Sequence, residues 1–421
     1  MLKEFNLNYI TANSYDYFLI NKKPIYSLLN EKFNGVVNLV TNMPFDLIKQ
    51  FDGDKTIIKA YDNNIMIFER SNYYNIYFLD FKNIEDLKDP LFNWQNFTID
   101  MIYETSNNEF IDYEYKYRNK NVQAIKDVEY KQIRLLNANK NSLIEKPEQI
   151  LQAFAYMSEY GFEIETQSLS CISKNINLLS NIDLISFKNY MKDILYGKNI
   201  INTINLMKSL NVFNIDIEVN GKKVNLLNSF NYIDFSNLEM VNNGFHMNWI
   251  ETLSLLLKDN KDELDNLIKL ELINEEESKK INWIIENFDL INNNDYREPL
   301  YKAKTGIVEE KGLMQMKELL LNLSKIYLKI YPDRKEQIDK ITFDFCRRPY
   351  FKNQIKVEDA IFIEIANDDN EKLLDLSKEK LLYKLIKTDK LPKELNDYMQ
   401  YVNEAVEEAV NEKMMSELGI I

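Results

Sequence analysis

The stretch EKPEQILQAFAYMSEYGFEI, residues 145–164, says most about how this chain folds. Its apolar residues recur at the spacing of one helix face: Ile150, Leu151, Phe154 and Met157. Gly161 follows at a position typical of a turn and leads back into apolar sequence. The pattern predicts an amphipathic helix that packs against a core and is followed by a turn.

The sequence changes character along the chain. Up to about residue 105, β-branched and aromatic runs bounded by Asn, Asp and Gly predict a mixed sheet, with runs at 36–40, 56–61, 65–68 and 76–79. From about residue 143 helical spacing takes over, and further helices are predicted at 249–257, 262–270, 276–288, 313–330 and 392–418. The predicted fold class is therefore α+β, with a sheet-containing first part and a helical remainder.

Composition indicates an ordinary globular protein. The 421 residues are 45% hydrophobic and 28% charged, enough for two to four domains with cores. The formal net charge is −14, so a general basic coat for nucleic acid is absent and any RNA contact must be a local patch.

Several site classes are excluded or disfavoured. The nine glycines form no Rossmann or P-loop run. Cys171 and Cys346 cannot form a disulfide framework or a zinc site, and the single histidine, His246, disfavours multi-histidine metal sites and a Ser-His-Asp triad. There is no basic-then-apolar leader and no apolar run of about 18 residues, so we expect a cytoplasmic protein without a membrane partner.

Nucleotidyl transfer needs carboxylates on adjacent strands, because two divalent ions must hold the attacking and leaving oxygens in line. Acidic pairs at i and i+2 are poor candidates here. Asp52 and Asp54 have the composition of a turn, and Asp112 and Glu114 lie in a strongly polar stretch.

Residues 145–164 resemble the Glu-Asp-Pro-x-Arg-x-Leu-Arg-x-x-x-Phe…Gly-Phe-x-Ile motif of the bacterial class II tRNA nucleotidyltransferases, the CCA-adding enzymes, and of the related poly(A) polymerases. Residues 17–29 look like that family's Tyr-Leu-Val-Gly-Gly-x-Val-Arg-Asp-x-Leu-Leu block, and residues 36–44 like Asp-Ile-Asp-Ile-Ala-Thr-x-Ala-x-Pro. Residues 96–102 are similar to Asp-Phe-Thr-Ile-Asn-Ala-Met, and residues 249–290 resemble the helical body of these enzymes.

The resemblance implies a polymerase-β-like nucleotidyltransferase head, a mixed sheet with helices, followed by an all-α neck, body and tail. The implied boundaries are 1–130 for the head, 131–200 for the neck, 201–300 for the body and 301–421 for the tail.

Departures from the family pattern fall on its chemistry. Asn21 and Lys22 replace the Gly-Gly that lets a backbone approach a triphosphate. Val36 and Asn38 replace the two metal-binding aspartates, and neither side chain is a good ligand for Mg²⁺. Lys146, Gln149 and Gln152 stand where the family has Asp, Arg and Arg. The resemblance implies that the first two positions read the base edges of CTP and ATP, and Lys146, which has donors and no acceptor, breaks that donor and acceptor pattern. The candidates for nucleotide binding by resemblance are Asn21, Lys22, Asn96, Asp100, Glu145, Lys146, Gln149 and Gln152.

For RNA, the family binds tRNA through helices and basic side chains. The local candidates here join cations to aromatic residues, as stacking on RNA requires: Lys116, Arg118, Lys120, Arg347, Arg348 and Tyr350. Lys22 and Lys23 are further candidates for a phosphate. A salt-bridged surface is the alternative interpretation of the RNA candidates, and an exposed turn is the alternative for Lys22 and Lys23.

Three functional hypotheses follow. The first is a degenerate nucleotidyltransferase homologue, a pseudoenzyme that binds tRNA or another RNA, with a nucleoside triphosphate as a further ligand, and needs no cofactor. The second is an active RNA 3′-end nucleotidyltransferase that uses Mg²⁺ and relocated carboxylates such as Asp16, Glu69 or Asp80. The third is a protein-interaction scaffold that binds no RNA. None of them involves DNA.

Overall fold

A computed structural model gives the architecture of the chain. It describes residues 7–33, 35–44, 47, 57–60, 64–69, 72–78, 96–219, 222–225, 247–259, 261–269, 272–292, 295–304, 312–388, 391–392 and 395–418.

The chain divides by its internal contacts into two compact units, Met1–Leu227 and Asn228–Ile421. The first unit holds the sheet and the helix predicted within residues 145–164, and the described part of the second unit is helical. The finer division into head, neck, body and tail stays a prediction.

Seven strands of the first unit form one sheet. They are β1 (Tyr17–Ile20), β2 (Val37–Thr41), β3 (Ile57–Ala60), β4 (Asn64–Glu69), β5 (Asn72–Phe78), β6 (Ile102–Thr105) and β7 (Phe110–Asp112). Their order is β3-β4-β5-β2-β1-β6-β7, with β2 and β5 parallel and the other neighbours antiparallel. The prediction of a mixed sheet is confirmed.

The central strand β2 is covered on both faces, which explains its nearly continuous apolar sequence. Leu39 pairs with Leu19 on one side and Ile76 on the other, and these three belong to one buried cluster. Val40, one residue further on, points to the opposite face and joins a second cluster with Ile20. Asn38 shares this second face because it lies two residues before Val40.

The helices of the first unit are α1 (Leu7–Ala12), α2 (Lys22–Leu28), α3 (Ala124–Glu129), α4 (Lys140–Glu145), α5 (Glu148–Tyr160), α6 (Thr166–Lys174), α7 (Leu184–Tyr196) and α8 (Ile200–Ser209). Two short pairings accompany them, β8 (Gln132–Ile133) with β9 (Glu163–Ile164), and β10 (Ile217–Val219) with β11 (Lys222–Val224).

Helix α5 is the predicted helix of the opening stretch, and it differs from the prediction in one respect. Every residue from Gln149 to Tyr160 is buried, so the helix has no solvent face. It packs against α7 and α8, and its first turns face Asn96. Gly161 ends it with φ 70° and donates its N–H to the Met157 carbonyl, a left-handed cap that glycine adopts without strain. The polar residues of α5 must therefore find partners inside the protein.

The second unit contains α9 (Trp249–Leu256), α10 (Asp262–Lys269), α11 (Glu275–Glu286), α12 (Arg297–Lys302), α13 (Gly312–Ile330), α14 (Lys335–Arg347), α15 (Asp359–Ala366), α16 (Glu371–Lys387) and α17 (Leu395–Glu417). The bounds of α9, α10, α11, α13 and α17 agree with the five predicted helices to within a few residues, whereas α12, α14, α15 and α16 lie where no helix was specifically predicted. None of the helices in the described ranges combines the length and the apolar character needed to cross a bilayer.

Asparagine side chains begin several of these helices. Asn248 accepts the backbone N–H of Glu251, and the Glu251 carboxylate accepts the N–H of Asn248 in return. Asn274 and Glu277 repeat this capping box at the start of α11. Part of the asparagine content of the chain therefore serves helix initiation.

Candidate functional site

The strand position that resembles the family's metal site carries neutral groups. Asn38 on β2 accepts a hydrogen bond at Oδ1 from Asn75 Nδ2 on β5 (3.1 Å), and its own Nδ2 donates to the Val36 carbonyl (3.3 Å). Asn75 also donates to the Tyr77 hydroxyl at 2.8 Å. Val36 is 38% exposed and offers only methyl groups. The strands therefore present an amide ladder at this position.

These residues do not fit a pair of divalent ions. Mg²⁺ is held by carboxylates and water in near-octahedral geometry, and an amide oxygen that already accepts a hydrogen bond is a weak substitute. Within the described ranges, no group of three or more His, Cys, Asp or Glu side chains is arranged to hold a metal.

Two of the residues proposed from the sequence to supply relocated carboxylates occupy backbone positions away from Asn38. Asp16 adjoins Asn42, at the opposite end of the β1–β2 pair, about 13 Å from Asn38 along the strands. Glu69 pairs with Asn72, about 10 Å along β5 from Asn75. Asp80 lies outside the described residues.

The turn that resembles the phosphate-binding Gly-Gly keeps a backbone conformation suited to glycine. Asn21 has φ 63° and ψ −131°, and its Oδ1 is buried without a hydrogen-bond partner. A non-glycine residue pays a strain cost in this region of the Ramachandran map. A non-glycine side chain therefore occupies a turn whose backbone geometry suits glycine.

Lys22, the next residue, forms an internal ion pair. Its Nζ lies 2.6 Å from Glu159 Oε2 on α5 and 3.9 Å from Asp193 Oδ2 on α7. Burial acts to lower the pKa of the ammonium, but the two carboxylates outweigh it and the pKa is raised. Tyr26 also donates to Glu159, at 3.2 Å. The Lys22 charge is thus already neutralised by the protein. Phosphate binding by Lys22 stays a prediction.

The candidate residues for base recognition come together around a cavity. Its volume is about 150 Å³, and its lining is Asn96, Leu136, Asn137, Ser142, Glu145, Lys146 and Gln149. An open recess of about 550 Å³ adjoins it and shares three of these residues, Asn137, Ser142 and Glu145. Gln152 and Asp100 lie behind the cavity wall in the same hydrogen-bond network.

That network joins positions where this chain departs from the family pattern. Gln149 Nε2 donates to Asn96 Oδ1 (3.1 Å), and Asn96 Nδ2 donates to Gln152 Oε1 (2.8 Å). The resemblance places Arg at the two glutamine positions and Asp at position 96. Three charged family residues are thus matched by three amides that bond to one another. Because amides both donate and accept, the substituted site is satisfied without net charge.

Asp100 closes the network from inside. Tyr156 donates to its Oδ1 at 2.6 Å, and the backbone N–H groups of Asn96 and Phe97 donate to its Oδ2 at 3.1 and 3.0 Å. Burial raises the pKa of this carboxyl to about 6, against the opposing effect of these hydrogen bonds and of Lys22.

Tyr156 and Glu159 were not among the sequence candidates. Gln149, Gln152 and Tyr156 are spaced by three and four residues, so they line one face of α5, and a polar row on an otherwise apolar helix was the available signal. The partners of these residues, on other segments, could not be identified from that row.

The residues predicted to bind RNA differ in whether the structure places them at the surface. Lys116 Nζ lies 4.9 Å from the Tyr117 ring, and Lys120 Nζ lies 4.9 Å from the ring of Tyr115, which is 42% exposed. Both lysines are exposed, whereas the side chain of Arg118 lies outside the described part. These contacts form an exposed group of cations on aromatic rings, the Lys116–Lys120 patch.

In the second unit the prediction is corrected for two residues. Arg348 is buried and its Nη1 donates to the carbonyls of Leu385 (2.7 Å) and Thr388 (2.8 Å) at the end of α16, while its Nε pairs with Asp344 (2.7 Å). Tyr350 is fully buried. Neither reaches the surface: the α16 carbonyls and Asp344 bind the Arg348 guanidinium, and the Tyr350 ring packs in the core, where its hydroxyl has no hydrogen-bond partner among the residues that the structure describes.

Arg347 remains exposed and stacks on the exposed ring of Phe343, 5.0 Å from its centroid. It is the residue of the predicted Arg-Arg cluster whose side chain is at the surface. His246 lies outside the described residues.

No family model matches this chain, and no curated protein matches it. The chain is similar in fold to the Bacillus stearothermophilus CCA-adding enzyme, solved in complex with CTP, at a TM-score of 0.54 and 13% identity over 96% of this chain and 97% of that one. The Thermotoga maritima CCA-adding enzyme complexed with tRNA-CCA matches over 96% of this chain and 93% of that one at a TM-score of 0.46 and 14% identity. The first likeness shows a CCA-adding-enzyme-like fold over nearly the whole chain.

Proposed function

We propose that this protein binds RNA, with tRNA as the first candidate, and a nucleotide base in the amide cavity, without catalysing nucleotidyl transfer. The observation that carries the proposal is the neutral Val36–Asn38–Asn75 surface where two metal-binding carboxylates are required. Those ions are what neutralises the charge that develops on the transferred phosphate, and this surface, among the described residues, offers them no carboxylate.

The cavity supports the binding part of the proposal. Asn96, Gln149 and Lys146 offer amide and ammonium donors and Glu145 offers an acceptor around a space of about 150 Å³. A planar ligand with mixed donors and acceptors along one edge, such as a nucleobase, suits that lining. The solved relative with a TM-score of 0.54 holds CTP.

The Lys116–Lys120 patch supports the RNA part. In a chain of net charge −14, RNA must be attracted by a local cluster, and lysines beside an exposed tyrosine provide both phosphate contacts and a stacking surface. Arg347 on Phe343 offers a similar pair on the second unit.

One assay tests the catalytic part. Purified protein is incubated with tRNA that lacks its 3′ CCA, labelled CTP and ATP, and Mg²⁺ or Mn²⁺. We expect tRNA binding without extension. Extension at rates comparable with a working polymerase would overturn the proposal.

A second assay tests the RNA surface by titrating the same tRNA at several salt concentrations. Lys116→Glu with Lys120→Glu should lower the affinity and reduce the slope of log affinity against log salt by about one to two. Lys340→Glu with Lys372→Glu is the matched control, since both lysines are exposed on the second unit and the net charge change is the same. Equal losses in the two double variants, or no binding at low salt, would contradict the assigned surface.

A further inference from the structure

The hydrogen bonds behind the cavity all run in one direction. Ser142 Oγ donates to Gln149 Oε1 (3.3 Å), Gln149 to Asn96 (3.1 Å), Asn96 to Gln152 (2.8 Å), Gln152 Nε2 to the Tyr156 hydroxyl (2.9 Å), and Tyr156 to Asp100 Oδ1 (2.6 Å). Each side chain accepts from the preceding member and donates to the next. This series of hydrogen bonds begins at the cavity and ends at the Asp100 carboxylate.

Asp100 determines that direction. An ionised carboxylate can only accept, and its Oδ2 is occupied by the N–H groups of Asn96 and Phe97, so the Tyr156 hydroxyl must donate to Oδ1. The hydroxyl oxygen is then the acceptor for Gln152, which turns its carbonyl toward Asn96. The same reasoning fixes Asn96 and finally Gln149. The amide orientations at the cavity therefore follow from one buried charge.

We propose that Asp100 is a positioning residue, which holds the Gln149 carbonyl toward Ser142 through this series of hydrogen bonds. The cavity then prefers a base that presents an amino group to Gln149 over a base that presents a carbonyl there. The inference rests on the proposed binding of a base. Gln149 Oε1 uses one of its two lone pairs for Ser142 and keeps the other for a ligand donor. Cytosine presents an amino group where uracil presents a carbonyl.

Protonation of Asp100 should release the constraint. A protonated carboxyl can donate to Tyr156, which allows every amide in the chain to turn round. The titratable groups that face Asp100 are Lys22 on α2, Tyr156 and Tyr160 on α5 and Tyr190 on α7. Lys22 favours the ionised form, and burial favours the neutral form. Since the pKa of Asp100 is about 6, the preference for a base with an amino group should be fully developed at pH 7.5 and weakened at pH 5.

The test measures the affinities of the full chain for CTP and UTP by calorimetry at both pH values, with no divalent ion added. At pH 7.5 wild-type protein should favour CTP by about tenfold, the effect of one buried acceptor left facing another acceptor. In Asp100→Asn the two backbone N–H groups keep the side-chain oxygen, so the new NH₂ donates to Tyr156 and the chain reverses. The preference should then shift toward UTP. Tyr156→Phe interrupts the chain and should bring the ratio close to one.

Asp112→Asn is the matched control. Asp112 is also buried and accepts backbone N–H groups, those of Tyr115 and Ile125, but lies outside the chain. It should leave the CTP to UTP ratio unchanged. A merely structural role for Asp100 would lower both affinities together with an unchanged ratio, and that result would overturn the inference.

A measurement without ligand separates this inference from the proposed function. In protein labelled with ¹⁵N at Asn and Gln side chains, the Gln149 amide signals should shift with pH along the titration of Asp100, and Tyr156→Phe should abolish that shift. If wild-type protein binds neither nucleotide, the proposed base binding fails while the amide titration still tests the chain. Signals that stay constant between pH 5 and 7.5 would refute the coupling.

Discussion

Replacement of Asn21 by glycine should stabilise the first unit. The φ of 63° and ψ of −131° place Asn21 in a region of strain that costs a non-glycine residue about 1–3 kcal/mol. Its buried Oδ1 lacks a partner, and removing such a group gains about 1–3 kcal/mol more. Glycine loses about 0.5–1 kcal/mol through the larger entropy of the unfolded chain. The free energy of unfolding should therefore rise by about 1 kcal/mol or more.

The assay is native-state hydrogen exchange, read by mass spectrometry. The slowest amides of β1 and β2 report the unfolding of the first unit, and those of α13 report the second unit as an internal reference. Asn21→Gly should slow exchange in the strands by about fivefold or more and leave α13 unchanged.

Asn108→Gly is the control for the chemistry of the change. Asn108 also has a positive φ, 61°, but its side chain is exposed in the turn between β6 and β7. It should gain less than Asn21→Gly because no buried amide is removed. Equal effects at the two positions would refute the contribution of the buried amide, and faster exchange in Asn21→Gly would refute the strain argument.

Three further predictions concern buried charges. Arg348→Met should destabilise the second unit by about 1–3 kcal/mol in urea unfolding followed by tryptophan fluorescence, because the α16 carbonyls lose their donor and Asp344 keeps, of the described residues, only Arg297 as a cationic partner, whereas exposed Arg347→Met should cost less than about 0.5 kcal/mol. The pKa of Asp344 is lowered because its hydrogen bonds, led by the one from Arg348, outweigh the effect of burial. The ionised carboxylate therefore stabilises the fold above its unfolded pKa of about 4, and this stabilisation is lost as the pH falls through the folded pKa. Asp344→Asn should weaken the loss of stability at acid pH. Lys22→Met should destabilise the first unit by about 1–3 kcal/mol in hydrogen exchange, since it leaves the buried Glu159 carboxylate without its cation. Unchanged unfolding in Arg348→Met or Lys22→Met, or an unchanged acid limb, would contradict the corresponding contact.

Local sequence signals were sufficient for much of the architecture. The run at 36–40 is rich in β-branched and other apolar residues and forms most of β2, and Gly161 ends α5 where the apolar pattern ends. A strand or the end of a helix depends on residues that are close together in the sequence, so a local sequence pattern can predict it.

The site could be predicted only in part, since its contacts join distant segments. Tyr156 meets Asp100 across 56 residues, and Asn75 meets Asn38 across 37. Arg348 and its neighbours have the sequence of a surface cluster of cations and aromatic residues. Its guanidinium nevertheless donates to a carbonyl at the end of α16, 37 residues further along the sequence. The predicted amphipathic α5 is buried all round for the same reason, because α7 and α8 cover the face that would meet water. Spacing along one element does not contain that information.

The amide ladder between β2 and β5 has a consequence for how the protein matures. Strands that gather several carboxylates suffer mutual repulsion until a counter-ion arrives, whereas Asn38 and Asn75 attract each other from the start. These two central strands can pair as soon as they meet, without a counter-ion between Asn38 and Asn75. Chelators or magnesium starvation should therefore leave the pairing of β2 with β5 intact.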